Sequence, residues 1–248
     1  MLRPIESAFG YFSIVPVRRA ASAQAPGPAV LAALPIVGAA IGAAAGLCAW
    51  LVSFAAPQPL VTATAFGALV VLSGAIHVDG FLDCSDAVFP AVPPSRRLEI
   101  LKDPRHGTYA VAGMAVVTVF WVAALGTCEP KKLPALLAFT GALARLAAVW
   151  NTRWTPYAPG GRVASALESG ASLPPLLVES CVLVVASRFI APWLWTTVPL
   201  SLVLAFALSR YIARRLGGGL VGDAYGFLIV CIEPILLASG STLGKAGR

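Results

Sequence analysis

The sequence predicts an all-α fold, in which a bundle of helices crosses a membrane several times. Three observations lead to this prediction: 58% of the 248 residues are hydrophobic, only 12% are charged, and the mean hydropathy is +0.82. Soluble globular chains carry about 25% charged residues. The apolar residues also form runs long enough to cross a bilayer as helices, which satisfy their backbone hydrogen bonds internally. We therefore expect one membrane-embedded domain over residues 1–248.

Seven apolar runs are the predicted spans. Their approximate bounds are 29–55, 60–78, 108–126, 133–150, 173–190, 193–213 and 221–240. Pro57 and Pro59 end the first run, because proline cannot continue a helix. The Ala- and Gly-rich composition of that run favours close helix packing. Residues 1–20 combine a short apolar stretch with Arg18 and Arg19, which predicts an amphipathic segment on the membrane surface.

The distribution of Lys and Arg predicts the orientation in the membrane. With seven spans and an N-terminus inside, only five basic residues fall on the outer side: Lys131, Lys132, Arg188, Lys245 and Arg248. Cytoplasmic loops carry the excess of basic residues. Segments 74–108, 151–172 and 214–223 should therefore share the cytoplasmic face. The net charge of +7 follows from this topology and does not indicate nucleic-acid binding.

Segment 74–108 holds five of the eleven acidic residues, which are Asp79, Asp83, Asp86, Glu99 and Asp103. The first three have i, i+4, i+7 spacing, which places them on one face of a helix. Carboxylates about 5 Å apart repel by roughly 3 kcal/mol at an effective dielectric near 20. A Mg²⁺ ion with hard oxygen ligands offsets that repulsion. We expect these three aspartates to hold Mg²⁺.

A basic set follows in the same segment, consisting of Arg96, Arg97, Lys102 and Arg105. Arg binds phosphate oxygens in a bidentate fork, and Lys adds a point charge. Acids, a metal and bases together indicate chemistry on a phosphate or diphosphate. The competing interpretation is a solvated loop whose acids and bases pair with each other. A short helix capped by Ser95 would place Glu99 and Asp103 on one face.

Other polar residues lie within or beside the apolar runs. Arg145 would cost about 3 kcal/mol facing lipid, so we expect it to face the bundle interior or to reach the membrane interface. Glu179 and Glu233 are expected to form hydrogen bonds between helices. His77 has two interpretations, as a general base or as a hydrogen-bonded packing residue. The five cysteines are widely spaced, so we expect packing residues rather than disulfides or a zinc site.

Two segments in the acidic region resemble motifs of the cobalamin synthase family, also called adenosylcobinamide-GDP ribazoletransferases. Residues 77–86, His-Val-Asp-Gly-Phe-Leu-Asp-Cys-Ser-Asp, are similar to the family's His-Leu-Asp-Gly-Leu-Ala-Asp-Thr-x-Asp. Residues 98–108, Leu-Glu-Ile-Leu-Lys-Asp-Pro-Arg-His-Gly-Thr, are similar to its Glu-Ile-Met-Lys-Asp-Ser-Arg-x-Gly-Thr. Residues 12–17, 34–38 and 217–223 resemble further family elements in the same order. The resemblance covers nearly the full length.

The chain also departs from the family pattern at single positions. The departures are Ser13 and Ile14 for Thr-Arg, Ala87 for Gly, Pro104 for Ser, Val221 for Thr and Val230 for Glu. The loss of the Thr-Arg pair removes one phosphate-binding candidate, whereas the three aspartates are intact. His106 lies where the family tolerates an apolar residue, so no role is predicted for it.

The resemblance implies a reaction, a cofactor and a location. A member of this family joins adenosylcobinamide-GDP to α-ribazole, or to its 5′-phosphate, and releases GMP. The product is adenosylcobalamin or its 5′-phosphate. The expected cofactor is Mg²⁺, and the expected location is the bacterial cytoplasmic (inner) membrane with the active site facing the cytoplasm. The expected partners are both substrates and the lipid bilayer; a homo-oligomer or association with other corrinoid-assembly enzymes is compatible with the sequence.

Roles for the polar residues follow as hypotheses. The metal ligands are Asp79, Asp83 and Asp86. The general base is one of these carboxylates or one of Glu99, Asp103 and His77. The transferring phosphate is neutralised by Lys102, Arg105 and Arg145. Asp223 either completes the metal site or caps its own helix, and the other substrate-binding candidates are Arg97, Arg162, Gly107, Thr108 and Gly222.

Two other functions stay open on the sequence. A CDP-alcohol phosphotransferase also places an Asp-Gly motif and further aspartates at a cytoplasmic membrane face. Its signature requires Ala-Arg where this chain has Asp83 and Cys84. A small transporter would carry charges deep within its spans, whereas the charges here cluster at one surface. The sequence also has no internal repeat of the kind common in transporters.

Overall fold

The computed structural model describes residues 2–17, 27–158 and 170–246. In these ranges the chain forms eleven α-helices and two 3-10 helices, with one isolated β-bridge and no β-strand. The α-helices are α1 Leu2–Phe12, α2 Pro28–Ala32, α3 Leu34–Val52, α4 Gln58–Leu72, α5 Ile76–Val88, α6 Pro94–Ile100, α7 Thr108–Gly126, α8 Leu133–Trp154, α9 Leu173–Ile190, α10 Thr197–Leu216 and α11 Gly222–Ala246. The 3-10 helices are Pro130–Lys132 and Pro192–Thr196. The predicted all-α fold is confirmed.

Six of the described helices are long and apolar enough to cross a membrane: α3, α7, α8, α9, α10 and α11. The helices α4 and α5 pass the same test as a pair, although they meet at a bend of 89°. The prediction of about seven spans is therefore confirmed. At the N-terminus, α1 buries Ala8 and Phe12 and exposes Arg3, as an amphipathic segment does.

The second predicted span differs from the structure at its end. The prediction continues the helix to residue 78, whereas α4 ends at Leu72 and α5 begins at Ile76. Gly74 and Ala75 have φ angles of 62° and 56°, in the left-handed region, and their N–H groups donate to carbonyls in the last turn of α4. A left-handed residue of this kind ends an α-helix. The acidic motif therefore lies on a separate helix.

The outer helices present apolar side chains to their surroundings. Only 11% of the α9 span is buried inside the protein, whereas 78% of the α8 span is buried. Exposed side chains on α9 include Leu177, Val178, Val185 and Phe189. Such side chains are stable against hydrocarbon but costly in water. These faces are therefore the lipid-facing surface, and α8 is the central helix of the bundle.

The helices α3 and α8 cross in direct backbone contact. Gly38, Gly42 and Gly46 lie four residues apart on α3, and a Cβ atom at any of them would collide with the backbone of α8. Small residues at this spacing let two membrane helices approach closely. The close packing predicted from the Gly-rich composition of the first span is confirmed.

Several polar segments meet at one end of the bundle. The N–H of Ile14 donates to the carbonyl of Leu72 at 3.0 Å, which brings the N-terminal segment to the α4–α5 bend. The N–H of Ala158 donates to the carbonyl of Leu220 at 2.7 Å, which joins the chain after α8 to the α10–α11 turn. Arg215 of α10 reaches the chain after α5. The described parts of these segments therefore lie together at one end of the bundle.

Candidate functional site

The three aspartates of α5 have different surroundings. Asp79 is exposed, and Asp83 keeps 22% of its side chain exposed one turn later. Asp86 is buried. Residues four apart lie on the same side of a helix, so the first two carboxylates form an accessible pair. The third carboxylate is used within the fold.

Asp86 caps the next span. Its carboxylate accepts the N–H groups of Gly107 and Ala110, the latter at 2.9 Å. Amides at the start of a helix have no partner within it, and a carboxylate there also interacts favourably with the helix dipole. A Cβ atom on Gly107 would lie 2.9 Å from the Asp86 carboxylate, so a larger residue here would have to displace that carboxylate. Gly107 thus serves the capping contact.

Two arginines hold the C-terminal end of α5. The guanidinium of Arg97 donates to the carbonyls of Ala87, Val88 and Pro90 at 2.6 Å, and Arg215 donates to Val88 and Pro90 at 3.0 Å. The last carbonyls of a helix lack intrahelical partners, and arginine can satisfy them. Arg97 is only 2% exposed and donates three hydrogen bonds to these carbonyls, so it stabilises the end of α5, and its role as a substrate ligand stays a prediction.

The aspartate helix packs tightly against α11. A Cβ atom on Gly80 would lie 2.8 Å from the carbonyl oxygen of Asp223, and one on Gly226 would lie 2.9 Å from that of His77. Real Cβ atoms do not approach so closely, so the two backbones touch because both positions are glycine. The contact places the first turn of α11 beside the first turn of α5.

A cavity of about 280 Å³ lies beside this contact. Its polar wall includes His77, Asp79 and Asp223, and with Gly222 four predicted site residues meet here. Its apolar wall includes Tyr11, Phe12, Leu31, Leu34, Val149 and Ile229. Ligand cavities are typically about 300–1,000 Å³, mainly apolar, with a few convergent polar groups. This cavity, called the apolar cavity below, is the first candidate binding surface.

A second concavity of about 360 Å³ includes Asp86 in its wall. We call it the polar groove. Its other polar or small residues include Arg96, Glu99, Asp103, Arg105, Gly107 and Thr108. The groove therefore gathers most of the candidates that the sequence placed in the second half of the acidic segment.

Acids and bases pair within the polar groove. Arg96 lies 2.6 Å from Glu99, and Arg105 lies 2.9 Å from Asp103, with all four side chains more than a third exposed. The hydrogen bonds from Arg105 lower the pKa of Asp103 to about 2. Exposed pairs of this kind are weak, so a phosphate can replace the carboxylate. The competing interpretation of paired loop charges thus describes part of the groove.

The helix α6 differs from the predicted geometry at both ends. It spans Pro94–Ile100, so Asp103 lies outside it and does not share a helix face with Glu99. The N-cap residue is Pro93, and no side chain caps the helix. The predicted cap at Ser95 is wrong, because the helix begins with a proline, which suits the first helical position.

His106 contacts the accessible carboxylate pair. Its Nδ1 lies 3.4 Å from Oδ1 of Asp83, which is longer than an ordinary hydrogen bond. The sequence predicted no role for His106, so this contact is a finding of the tertiary structure. Lys102 in the same loop and Thr108 at the start of α7 are exposed, where they are accessible to a ligand.

Arg145 lies in the bundle interior. Its Nη1 is 3.3 Å from Oε2 of Glu233 and 2.9 Å from the carbonyl of Gly141. This confirms the predicted interior position of Arg145 and the interhelix bond of Glu233. Arg145 lines neither concavity, and its phosphate contact stays a prediction. Among the described residues Oε2 of Glu179 has no hydrogen-bond partner, so the bond predicted there is also not found.

The remaining candidates lie near the start of α11 or outside the described residues. Arg162 lies outside the described residues. The N–H of Gly222 donates to the hydroxyl of Tyr157 at 3.2 Å. Asp223 is in the first turn of α11 and lines the apolar cavity. The structure is compatible with both predicted roles of Asp223, at the ligand site and at the helix terminus.

Sequence reasoning missed the apolar part of the cavity. The ring of Phe12 stacks on that of His77, with centroids 6.2 Å apart and planes 22° apart. Thr152 and Tyr225 contribute from α8 and α11. The adjacent aromatics Tyr11 and Phe12 in an amphipathic segment were the available signal. Nothing in the sequence indicated that α8 and α11 close the same cavity.

The accessible aspartates form a pair rather than a larger ligand set. Across residues 2–17, 27–158 and 170–246, no group of three or more His, Cys, Asp or Glu side chains is arranged to hold one metal ion. The predicted set of three is not assembled, because Asp86 is directed at the amides of α7. Asp79 and Asp83 still fit Mg²⁺, which commonly takes one or two carboxylates together with waters and substrate phosphates.

Comparison with known proteins connects this site to a family. The sequence profile described as cobalamin-5-phosphate synthase matches residues 4–241. The adenosylcobinamide-GDP ribazoletransferase of Deinococcus radiodurans is 32% identical over 213 residues, which cover 82% of this chain and 72% of that protein. The enzyme of the same name from Ralstonia pickettii is 29% identical over 236 residues, covering 93% and 92%. That from Allorhizobium ampelinum is 33% identical over 221 residues, covering 84% and 83%.

The matched region contains the aspartate helix and both concavities. No solved structure matches the chain. Since the family profile extends over most of the sequence and several relatives are similar along most of their length, the chain belongs to the cobalamin-5-phosphate synthase family.

Proposed function

We propose that this protein is a Mg²⁺-dependent adenosylcobinamide-GDP ribazoletransferase. In the proposed reaction, a hydroxyl of α-ribazole or of its 5′-phosphate displaces GMP from adenosylcobinamide-GDP. The product is adenosylcobalamin or its 5′-phosphate. Relatives named for this activity cover most of the chain, and they disfavour the CDP-alcohol phosphotransferase and transporter alternatives.

The observation that carries the proposal is the position of α5 between two concavities. Asp79 lines the apolar cavity and Asp86 lines the polar groove, and Asp83 lies between them on the same helix. A transferase with two large substrates gains rate by holding both so that their reacting atoms meet. The two surfaces adjoin one helix whose accessible carboxylates suit a diphosphate bound through a cation.

Asp79 and Asp83 would hold Mg²⁺ in this proposal. Their carboxylates are hard oxygen donors one helical turn apart, and both are open to solvent. When bound, the ion neutralises charge on the diphosphate oxygens. The surrounding contacts keep the pair in place: Asp86 fixes α5 to α7, and Arg97 with Arg215 fixes its C-terminal end.

The chain's own residues position both substrates and accept one proton. The acceptor oxygen attacks the phosphorus that carries the corrinoid arm, the bridging P–O bond breaks, and GMP leaves with the electron pair. The hydroxyl proton passes to Asp223, the second carboxylate of the cavity wall. Arg96 and Arg105, exposed in the polar groove, supply positive charge for the diphosphate. Catalysis of this type is mainly positioning and charge neutralisation.

We also propose that the site faces the cytoplasm across a bacterial inner membrane. The end of the bundle with the site carries most of the Lys and Arg residues. At the opposite end, Lys131 and Lys132 lie 3.4 Å and 2.7 Å from Glu129. An excess of basic residues marks the cytoplasmic side. Cysteine labelling of single-cysteine variants at each end, in intact cells, tests this orientation.

The direct test uses protein purified in nanodiscs, incubated with adenosylcobinamide-GDP, α-ribazole and Mg²⁺. Release of GMP and appearance of the joined corrinoid are followed together. Equal amounts of both products, formed only with Mg²⁺, would support the proposal. No joined corrinoid from folded protein, with either form of ribazole, would overturn it. A parallel incubation with CDP-diacylglycerol and small alcohols tests the alternative transferase.

A further inference from the structure

We propose that the apolar cavity binds the flat aromatic ring of the acceptor nucleoside and that His77 recognises the ring through a hydrogen bond at Nε2. This inference rests on the proposed function, which supplies an aromatic riboside as acceptor. It assigns the acceptor to one of the two concavities and leaves the polar groove for the nucleotide of the other substrate.

Size decides which substrate part fits. The apolar cavity is about 280 Å³, near the lower end of the roughly 300–1,000 Å³ of small-molecule sites. This space accepts a nucleoside-sized group, whereas a corrinoid ring is several times larger. The corrinoid therefore stays outside, and the acceptor is the part that enters.

The lining matches a flat apolar ring. The wall beside α5 consists of the stacked rings of Phe12 and His77, with centroids 6.2 Å apart. Leu31, Leu34 and Ile229 add aliphatic surface. Aromatic faces favour stacking or edge contacts with another ring. A heteroaromatic base thus gains apolar burial and ring contacts in the same place.

His77 supplies an unused hydrogen-bonding group. The residue is only 7% exposed, and among the described residues its buried Nε2 atom has no hydrogen-bond partner. Buried polar atoms are nearly always paired, because an unpaired one costs free energy. A neutral imidazole can donate from Nε2, and an imidazole-type ring nitrogen in the acceptor can receive that bond. The bound ring would satisfy the atom that the protein leaves unpaired.

The polar wall fixes the direction of the acceptor. Asp79 and Asp223 line the same cavity as His77. With the ring against His77 and Phe12, the ribose hydroxyls turn toward these carboxylates. That direction delivers the attacking oxygen to the accessible aspartate pair, where the diphosphate is proposed to lie.

The test compares Michaelis constants for the two substrates. His77→Phe keeps a flat ring beside Phe12 and removes the hydrogen bond, so we expect the KM for α-ribazole to rise about tenfold. We expect the KM for adenosylcobinamide-GDP to change by less than about twofold, since uniform loss of acceptor binding leaves the donor site intact. Ala148→Leu fills the cavity from α8 and should give the same selective effect. Ala123→Leu, on an exposed position of α7, is the matched control.

An analogue of the acceptor gives an independent test of the hydrogen bond from His77. Replacing the ring nitrogen by C–H should weaken binding to the natural protein about tenfold, and His77→Phe should bind both ribosides equally. Calorimetric binding of α-ribazole without the second substrate measures this even if no turnover occurs, so failure of the proposed function is distinguishable. Unchanged acceptor binding in both folded variants, or a rise confined to the donor KM, would overturn the assignment.

Discussion

The carboxylate of Asp86 accepts a hydrogen bond from the backbone N–H of Ala110, at 2.9 Å, across 24 residues of the chain. This bond joins the end of the aspartate helix to the first turn of α7. The intervening segment, with α6 and the polar groove, is thereby closed into a loop fixed at both ends. The three aspartates on one helix therefore have two different roles. Asp79 and Asp83 are available to a ligand, and Asp86 holds the helix in the position that presents them.

Substitution of Asp86 should separate capping from metal binding. Asp86→Ala removes the acceptor for two amides, and loss of an N-terminal cap costs about 0.5–2 kcal/mol. Asp86→Asn keeps one oxygen acceptor, so it can accept only one of the two amides, and it loses the charge interaction with the helix dipole, about 0.3–1 kcal/mol. The thermal unfolding temperature in detergent should be highest for the natural protein, lower for Asp86→Asn and lowest for Asp86→Ala. If Asp86→Asn unfolds at the natural temperature but has no turnover, the outcome would support Asp86 as a metal ligand.

Asp83→Asn should weaken the response to Mg²⁺ without loss of protein. Loss of even an outer-shell partner costs roughly 10–100-fold in metal affinity, so we expect at least that rise in the Mg²⁺ concentration for half-maximal turnover. Glu99→Gln is the matched control, because Glu99 is exposed and pairs with Arg96. A normal Mg²⁺ titration for the Asp83 variant would contradict the ligand assignment.

Asp223→Asn should lower kcat with little change in the Mg²⁺ requirement. A general base contributes about 10²–10⁴-fold to rate, and Asp223 is the proposed proton acceptor. The Mg²⁺ titration distinguishes this outcome from the effect expected at Asp83. If the Asp223 variant behaves like the Asp83 variant, Asp223 belongs to the metal site instead.

Arg97→Lys should destabilise the aspartate helix. The guanidinium of Arg97 contacts three carbonyls at once, and the compact ammonium of lysine cannot reproduce that fork. Lost charged hydrogen bonds cost about 1.5–3 kcal/mol. Arg96→Lys, one position earlier and exposed, should change unfolding by less than about 0.5 kcal/mol. Equal unfolding midpoints for the two variants, with a raised donor KM only for Arg97→Lys, would support the original substrate-binding prediction.

Glu233→Gln should destabilise the folded protein more than removal of both members of the Arg145–Glu233 ion pair. The variant leaves the buried charge of Arg145 without its partner, which costs about 3–5 kcal/mol in protein interiors. The double variant Arg145→Met with Glu233→Leu removes both charges and should recover most of that loss. Protein level and detergent unfolding measure the difference. If the double variant unfolds normally but binds the donor poorly, Arg145 contacts substrate after all.

Asp103 should not shape the pH dependence of turnover. Its pKa is lowered to about 2 by Arg105, below the usual value of about 3.9. Its contribution to stability is complete above the unfolded pKa and is lost as pH falls toward 2. It is thus ionised at any working pH and is a poor general base. Asp103→Asn should leave the dependence of kcat on pH unchanged. If the variant loses a pH-dependent change in rate near neutral pH, Asp103 is the general base.

The sequence anticipated most of the architecture because its signals are strong and local. The apolar runs place the spans to within a few residues at most ends, and the second one ends early, at the left-handed Gly74 and Ala75. Glycine spacing on α3 anticipated the close helix contact. The sequence did not indicate which partner each polar side chain has: Arg97 donates to the carbonyls at the end of α5, because neutralising helix ends is another use for arginine.

By itself, the sequence determined that the protein is a helical membrane protein of one family whose acidic motif lies at one end of the bundle. Composition, run length and motif order suffice for that, since each is a property of neighbouring residues. Only the tertiary structure decided which aspartates are accessible, that His77 and Phe12 form one wall of a cavity, and that Arg145 pairs with Glu233. These depend on how closely α5, α8 and α11 approach, and backbone contacts at glycines such as Gly80 and Gly226 fix that approach.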